Sequence, residues 1–193
     1  MNSSDPKPFD NPYLEATADI TSTGPGYREV ENIAEGFRRR ETLIEEYAWA
    51  IPNPEAIATI CAHSPILEVG AGAGYWAKCI SEAGGNVLAT DVEPPTDRPR
   101  WHPVWTADAR RVVTDYPHRA LLLVWPSYAE TWSTETLGRY GGDTVIYVGE
   151  GRGGCTGDDR FHQMLAEEWT LEATVDIPTY PGIHDRLEVY VDD

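Results

Sequence analysis

The sequence predicts an α/β domain: a mostly parallel sheet of about seven strands with helices on both faces, a last strand pair that runs antiparallel, and an N-terminal helical cover. Three observations predict it. Short apolar runs recur from Ile66 onward without strict alternation, as strands covered on both faces do. Their starts lie roughly 15 to 25 residues apart, room enough for a crossover helix between parallel neighbours. The last two runs alternate more clearly, as an antiparallel pair does.

Residues 1–26, rich in Pro, Ser, Thr, Asn and Gly and interrupted by Pro6, Pro8, Pro12 and Pro25, read as a flexible arm. Residues 27–193 then form one domain, with 27–63 as the helical cover and 64–193 as the sheet-bearing core. From Glu29 to Ala48, apolar residues at 30, 33, 34, 37, 44, 47 and 48 give a helix with one apolar face, weakened by Gly36. Pro52 and Pro54 interrupt, and Pro54-Glu55 suits the first turn of a helix running to Ala62. Strands follow at Ile66–Val69, Val87–Thr90, Val104–Thr106, Leu121–Trp125 and Thr144–Val148. Asp108 caps a short helix, and Thr156-Gly-Asp-Asp159 reads as a capping box whose helix buries Phe161, Met164, Leu165 and Trp169. Leu171–Ile177 and Arg186–Val191, joined by a turn-rich segment, make the terminal hairpin.

Composition narrows the function. With 15 Lys and Arg against 32 Asp and Glu, the formal charge of −17 opposes a phosphate backbone, so nucleic acid is a disfavoured partner. Arg38-Arg39-Arg40 is a local exception that suits an anion or a solvated helix face. Three widely spaced cysteines match neither a disulfide framework nor a metal motif, and no metal is expected. The longest apolar run has six residues, against about 20 for a membrane span, and the polar start lacks a signal core. The expectation is a soluble cytoplasmic protein, alone or as a homodimer.

The most informative stretch is Ile66-Leu-Glu-Val-Gly-Ala-Gly-Ala-Gly-Tyr75, a strand running into Gly70, Ala71, Gly72 and Gly74 and then a helix. Such a turn lets a ligand approach the backbone closely. A dinucleotide fingerprint needs glycine at position 75, where Tyr75 stands. The next strand ends in Asp91, followed by Val92, 21 residues after Gly70, where α/β folds place an acid on a ribose. Asp91 also fits a turn before Pro94-Pro95.

Glu68 to Gly74 resemble the first motif, acid-x-Gly-x-Gly-x-Gly, of the class I S-adenosylmethionine-dependent methyltransferases, a Rossmann-like family. The specific match covers about residues 66–128. The resemblance implies that S-adenosylmethionine is the cofactor and S-adenosylhomocysteine the product. It implies Glu68 and the glycine backbone at the methionine end, Asp91 on the ribose, and Asp108 with Ala109 by the adenine. It also puts Trp125-Pro-Ser-Tyr128 at the end of the fourth strand, facing the methyl group. That segment is similar to the Asp/Asn-Pro-Pro-Tyr/Phe motif of amino-group methyltransferases, but Trp125 offers no side-chain oxygen and Ser127 replaces a proline. Trp125 and Tyr128 suit an aromatic wall beside a sulfonium, and equally the core. Cover helices in this family often lie over the cofactor, which nominates Tyr47 and Trp49.

The glycine-rich segment 149–157, with Glu150, lies after the fifth strand and suits a substrate rim or a surface connection; it lacks the Gly-Lys-Ser/Thr of a phosphate loop. His162, in a first helical turn beside the buried face, and His184 are the candidate general bases, with Tyr128 as a further catalytic candidate. Tyr47, Trp49, Tyr128, Glu150 and His184 are the expected substrate-lining residues. The chain leaves no room for a separate substrate domain, which favours a small molecule or a peptide end, methylated on oxygen or nitrogen. The rival readings are a protein that binds S-adenosylmethionine without turnover, a nicotinamide-dependent oxidoreductase and a nucleic-acid methyltransferase.

Overall fold

A computed structural model describes residues 7–23 and 33–192. The elements in chain order are α1 (Pro12–Thr17), β1 (Ser22–Thr23), α2 (Ile33–Glu46), α3 (Pro54–Ala62), β2 (Ile66–Val69), α4 (Tyr75–Glu82), β3 (Val87–Asp91) and β4 (Val104–Thr106). They continue with α5 (Ala109–Asp115), β5 (Ala120–Val124), α6 (Trp132–Leu137), β6 (Thr144–Gly149), α7 (Asp159–Glu168), β7 (Thr170–Asp176), β8 (Pro178–Thr179) and β9 (Arg186–Val191). Among the described residues, no helix is long and apolar enough to cross a membrane.

Seven strands form one sheet in the order β4-β3-β2-β5-β6-β9-β7. The first five run parallel, and β9 returns antiparallel to both β6 and β7. The order reverses between β3 and β5 around β2, so the carboxyl ends of β2 and β5 diverge into a crevice, the usual ligand position in open α/β sheets. Because β9 runs the other way, its first residue, Arg186, pairs with Gly149 at the carboxyl end of β6. The turn before β9 is thereby delivered to the ligand edge.

The lack of alternation in the central strands is explained by burial on both faces: all four residues of β2 are buried. Ile66, Leu122, Ile146 and Leu187 pack beneath Ile51, Ile57, Ile60, Trp76 and Ile80 on one face. Leu67, Leu121, Leu123 and Tyr147 meet Val113, Leu137, Phe161 and Leu165 on the other.

Two expectations need correction here. The flexible arm predicted over 1–26 is structured over 7–23. Asn11 caps α1, Tyr13 is fully buried, and β1 pairs with β8 near the other end of the chain. Tyr13 outweighs the prolines because its ring stacks on Tyr47 and its hydroxyl meets the Ala48 carbonyl and the Tyr180 hydroxyl. Pro12 sits in the first helical turn, where its missing N–H does no harm. Residues 1–6 and 24–26 of that arm, and 29–32 of the predicted cover helix, lie outside the described residues. The capping box predicted at Thr156 is also displaced: Asp158 caps α7, accepting from the N–H groups of Arg160 and Phe161. Thr156 instead bonds the Tyr147 hydroxyl and the Glu150 N–H. The helix α6 has no counterpart among the predicted elements.

Candidate functional site

β2 ends in a turn whose glycines, Gly70, Gly72 and Gly74, all have left-handed backbones, with φ of 68°, 55° and 80°. At Gly70 a side chain is barred twice, since a Cβ there would lie 3.1 Å from the Trp132 ring of α6. At Gly72 the space is open, so the conformation alone demands glycine. The turn is tied to the neighbouring strand through Asp91, whose Oδ2 accepts from the Gly72 N–H at 2.8 Å and whose Oδ1 accepts from the Glu93 N–H at 2.8 Å. Each oxygen keeps a lone pair for a further donor.

Two cavities flank this turn and share Gly70. The larger, about 460 Å³, is lined by Asp91, Val92, Asp108, Ala109, Thr131 and Trp132 among others. The smaller, about 100 Å³, is lined by Tyr47, Trp49, Glu68, Ala71, Gly72 and Trp76 among others. One elongated ligand bent around the glycine turn would occupy both.

Glu68 is the unusual group. It is 2% exposed and its Oε2 has no hydrogen-bond partner. Burial pushes its carboxyl up to about 8, with the Ala77 N–H pulling the other way and the Asp91 charge adding to the rise. A buried carboxyl with an unused oxygen beside a cavity is suited to a cationic or hydrogen-bond-donating ligand group. At the other end Asp108 is both helix cap and ion-pair partner. Its Oδ1 accepts from the Arg110 N–H, and Arg110 grips both oxygens, which holds the Asp108 carboxyl down at about 2. Ala109 opens α5 at the same cavity wall.

Trp125 follows β5 with φ 53°, left-handed for a bulky residue. That conformation is held on three sides. Its N–H donates to the Val148 carbonyl, its ring stacks on Trp49 at 4.9 Å, and its Nε1–H donates to Asp185 Oδ2 at 2.7 Å. Tyr47 stacks between Tyr13 and Trp101 and lines the smaller cavity, while Trp49 is half exposed.

The structure therefore brings Glu68, Gly70, Ala71, Gly72, Asp91, Val92, Asp108, Ala109, Tyr47 and Trp49 to the two cavities, with Gly74 beneath the turn as the first cap of α4. It does not bring Trp125, Glu150 or the base candidates there. His162 is buried rather than beside the buried face, and its Nε2 lies 2.8 Å from the Thr156 carbonyl with the Tyr147 and Phe161 rings edge-on. Glu150 is buried and fully engaged: Oε2 accepts from the Cys155 N–H and thiol, and Oε1 from the His184 N–H. Burial works to raise its carboxyl, but these donors outweigh it and hold the group below the usual range. His184 and Tyr128 are exposed and line neither cavity.

Sequence reasoning missed Trp132, which closes the larger cavity, and Asp185, which no motif marks. Asp185 could have been reached only through topology, by placing the turn before β9 at the ligand edge.

No protein-family model matches the chain, and no curated protein does. Among solved structures, it is similar to the magnesium protoporphyrin IX methyltransferase of Synechocystis PCC 6803. The form with bound SAM gives a TM-score of 0.53 at 10% identity, covering 94% of this chain and 89% of that one. The form with bound SAH gives 0.51 at 10% identity, covering 94% and 92%. Together with the sheet order and the glycine turn, this likeness shows that the chain has the class I methyltransferase fold.

Proposed function

We propose that the protein is an S-adenosylmethionine-dependent methyltransferase acting on an oxygen or nitrogen atom of a small molecule or a peptide end. The observation that carries this reading is the pairing of a left-handed glycine turn, pinned by Asp91, with a buried Glu68 whose Oε2 is unused. These residues fit the cofactor chemically. Glu68 suits the ammonium of the methionine end, and Asp91 keeps lone pairs for two ribose hydroxyls. The backbone at Gly70 to Gly72 leaves space for close approach, and Asp108 with Ala109 borders the place for the adenine.

When bound, the cofactor supplies an electrophilic methyl group on a sulfonium. The chain's own contribution is alignment and exclusion of water, because in-line displacement gains most from a held near-attack geometry. Trp49, which lines the smaller cavity, offers an indole edge and face to a cationic centre, worth on the order of 1 kcal/mol. The end of α2 and the residues after it, Ile44 and Tyr47 to Trp49, line the smaller cavity and would shield a ligand there from water.

The test is calorimetric titration with S-adenosylmethionine, S-adenosylhomocysteine and NAD, followed by a methyl-transfer screen. Micromolar binding of the first two, without NAD, is expected. Binding of NAD alone, or of none, overturns the reading.

A further inference from the structure

A second group of side chains gathers beyond Trp125, at the edge to which β9 returns. Asp185 immediately precedes β9, is 7% exposed, and keeps one oxygen, Oδ1, without any partner while Oδ2 is taken by the Trp125 indole. Arg40 reaches the same place from α2. Its guanidinium carbon lies 5.7 Å from the Trp49 ring, 5.9 Å from Trp125 and 5.5 Å from Tyr180, and its Nε is buried without a partner. An orphaned acceptor and an orphaned donor thus flank one pair of stacked indoles. Each unmade bond is a penalty that one ligand group meeting both would remove.

Resting on the methyl-transfer reading above, we propose that this cluster is the acceptor site and that its substrate is an aromatic hydroxyl compound. Asp185 Oδ1 receives the hydroxyl proton and Arg40 Nε–H donates to the same oxygen. The flat indoles of Trp49 and Trp125 select a flat ring. A guanidinium donates hydrogen bonds and never accepts them, so it suits a hydroxyl oxygen with lone pairs over an aryl amine, whose one nitrogen pair is delocalised into the ring. Trp49 is half exposed, so the indole pair is open to solvent on that side.

In the transfer, the O–H bond breaks and its proton goes to Asp185. A lone pair of that oxygen forms the new O–CH₃ bond, and the S–CH₃ bonding pair stays on sulfur as a neutral thioether. The Asp185 acid then returns its proton to water. The environment suits that duty. Burial pushes the Asp185 carboxyl up to about 7, against the Trp125 N–H, with Glu150 adding to the rise and Arg40 and His184 opposing it. The other titratable groups facing it are Tyr13 of α1, Tyr147 of β6 and Cys155.

The test uses 4-cyanophenol and its amino counterpart 4-cyanoaniline, titrated into the full chain saturated with S-adenosylhomocysteine, with indole fluorescence as the readout. The phenol is expected to bind saturably and at least tenfold tighter than the aniline. Its ultraviolet band should move to longer wavelength, as a phenol donating to a carboxylate does. Arg40→Met and Asp185→Asn should each weaken phenol binding about tenfold, and Asp185→Asn should abolish the spectral shift, with S-adenosylhomocysteine affinity unchanged in both. Asp185→Glu, which keeps a carboxylate, should retain the shift. Absence of saturable phenol binding, equal binding of the aniline, or unchanged binding in both variants overturns the proposal. If S-adenosylhomocysteine itself fails to bind, the cofactor reading falls, and phenol titration of the unliganded chain judges the acceptor site by itself.

Discussion

Replacing Glu68 by Gln separates the charge of this buried carboxyl from its shape. With its carboxyl raised to about 8, Glu68 is about nine-tenths protonated in the free protein at pH 7. An ammonium ligand pairs with the ionised form, so binding must expel that proton, and about 0.9 proton should be released per ligand at pH 7. Affinity should therefore rise about ninefold between pH 6 and 7, about fivefold between pH 7 and 8, and level off above, since only the ionised fraction is competent. Calorimetry of S-adenosylhomocysteine binding in buffers of different ionisation enthalpy counts the proton directly. Glu68→Gln should abolish the release and flatten the pH dependence, leaving an affinity near that of the wild type at low pH. Equal proton release in wild type and variant, or an affinity independent of pH in both, would show that Glu68 does not meet the ligand's cationic end.

Other perturbations probe the remaining parts. Asp91→Ala removes the acceptor of the Gly72 N–H and the expected ribose contact, and should weaken S-adenosylhomocysteine binding 10- to 100-fold by calorimetry, about 1.5–3 kcal/mol. Gly70→Ala adds a Cβ 3.1 Å from Trp132 in a left-handed backbone, and should cost more stability in urea titration than Gly72→Ala, where only the backbone strain of about 1 kcal/mol applies. Leu122→Ala, in the central strand and fully buried, should lower the unfolding free energy by about 2–5 kcal/mol without altering ligand affinity in the folded protein. His162→Ala should lower the melting temperature and leave the affinities of both ligands unchanged, because its ring meets Thr156 rather than either cavity.

The central strands, the glycine turn and Asp91 were legible because each rests on local pattern: apolar runs bounded by breakers, and glycines where only glycine can turn. The N-terminal helix was not, since four prolines argue for an arm, and what fixes it is Tyr13 meeting Tyr47, Ala48 and Tyr180 across up to 167 positions. His162 misled for a similar reason. Its place in a first helical turn is visible, but the carbonyl that holds it belongs to Thr156, displaced from the expected cap by its bonds to Tyr147 and Glu150. Asp185 is the sharpest case. Its neighbours Trp125 and Arg40 lie 60 and 145 positions away, and nothing in the turn itself distinguishes it from the adjacent His184.

Two buried carboxyls, each with an orphaned oxygen, give the fold a pH signature that can be tested without any ligand. Glu68 is raised from 4.5 to about 8 and Asp185 from 3.8 to about 7, so between these values the folded chain holds protons that the unfolded chain has released. Where the native state binds more protons, stability falls as pH rises, by at most about 1.4 kcal/mol per unit for each group. Asp108 and Glu150 are shifted downward and act in the opposite sense, contributing stability that is lost only as pH falls below the usual carboxylate range. The maximum should then lie near pH 4 to 5, acid of the range common for globular proteins. Self-repulsion from a charge of −17 pushes the same way, so wild-type melting curves alone do not isolate the effect. The double variant Glu68→Gln/Asp185→Asn does, through the change between about pH 5 and pH 8 in its stability relative to wild type, from which any packing effect of the substitutions cancels. Relative stability should rise by several kcal/mol over that interval, with a ceiling of about 4 kcal/mol per group. A relative stability flat across the interval would mean that both carboxyls are ionised at ordinary cost, and the case for either as a poised ligand-binding group would fail with it.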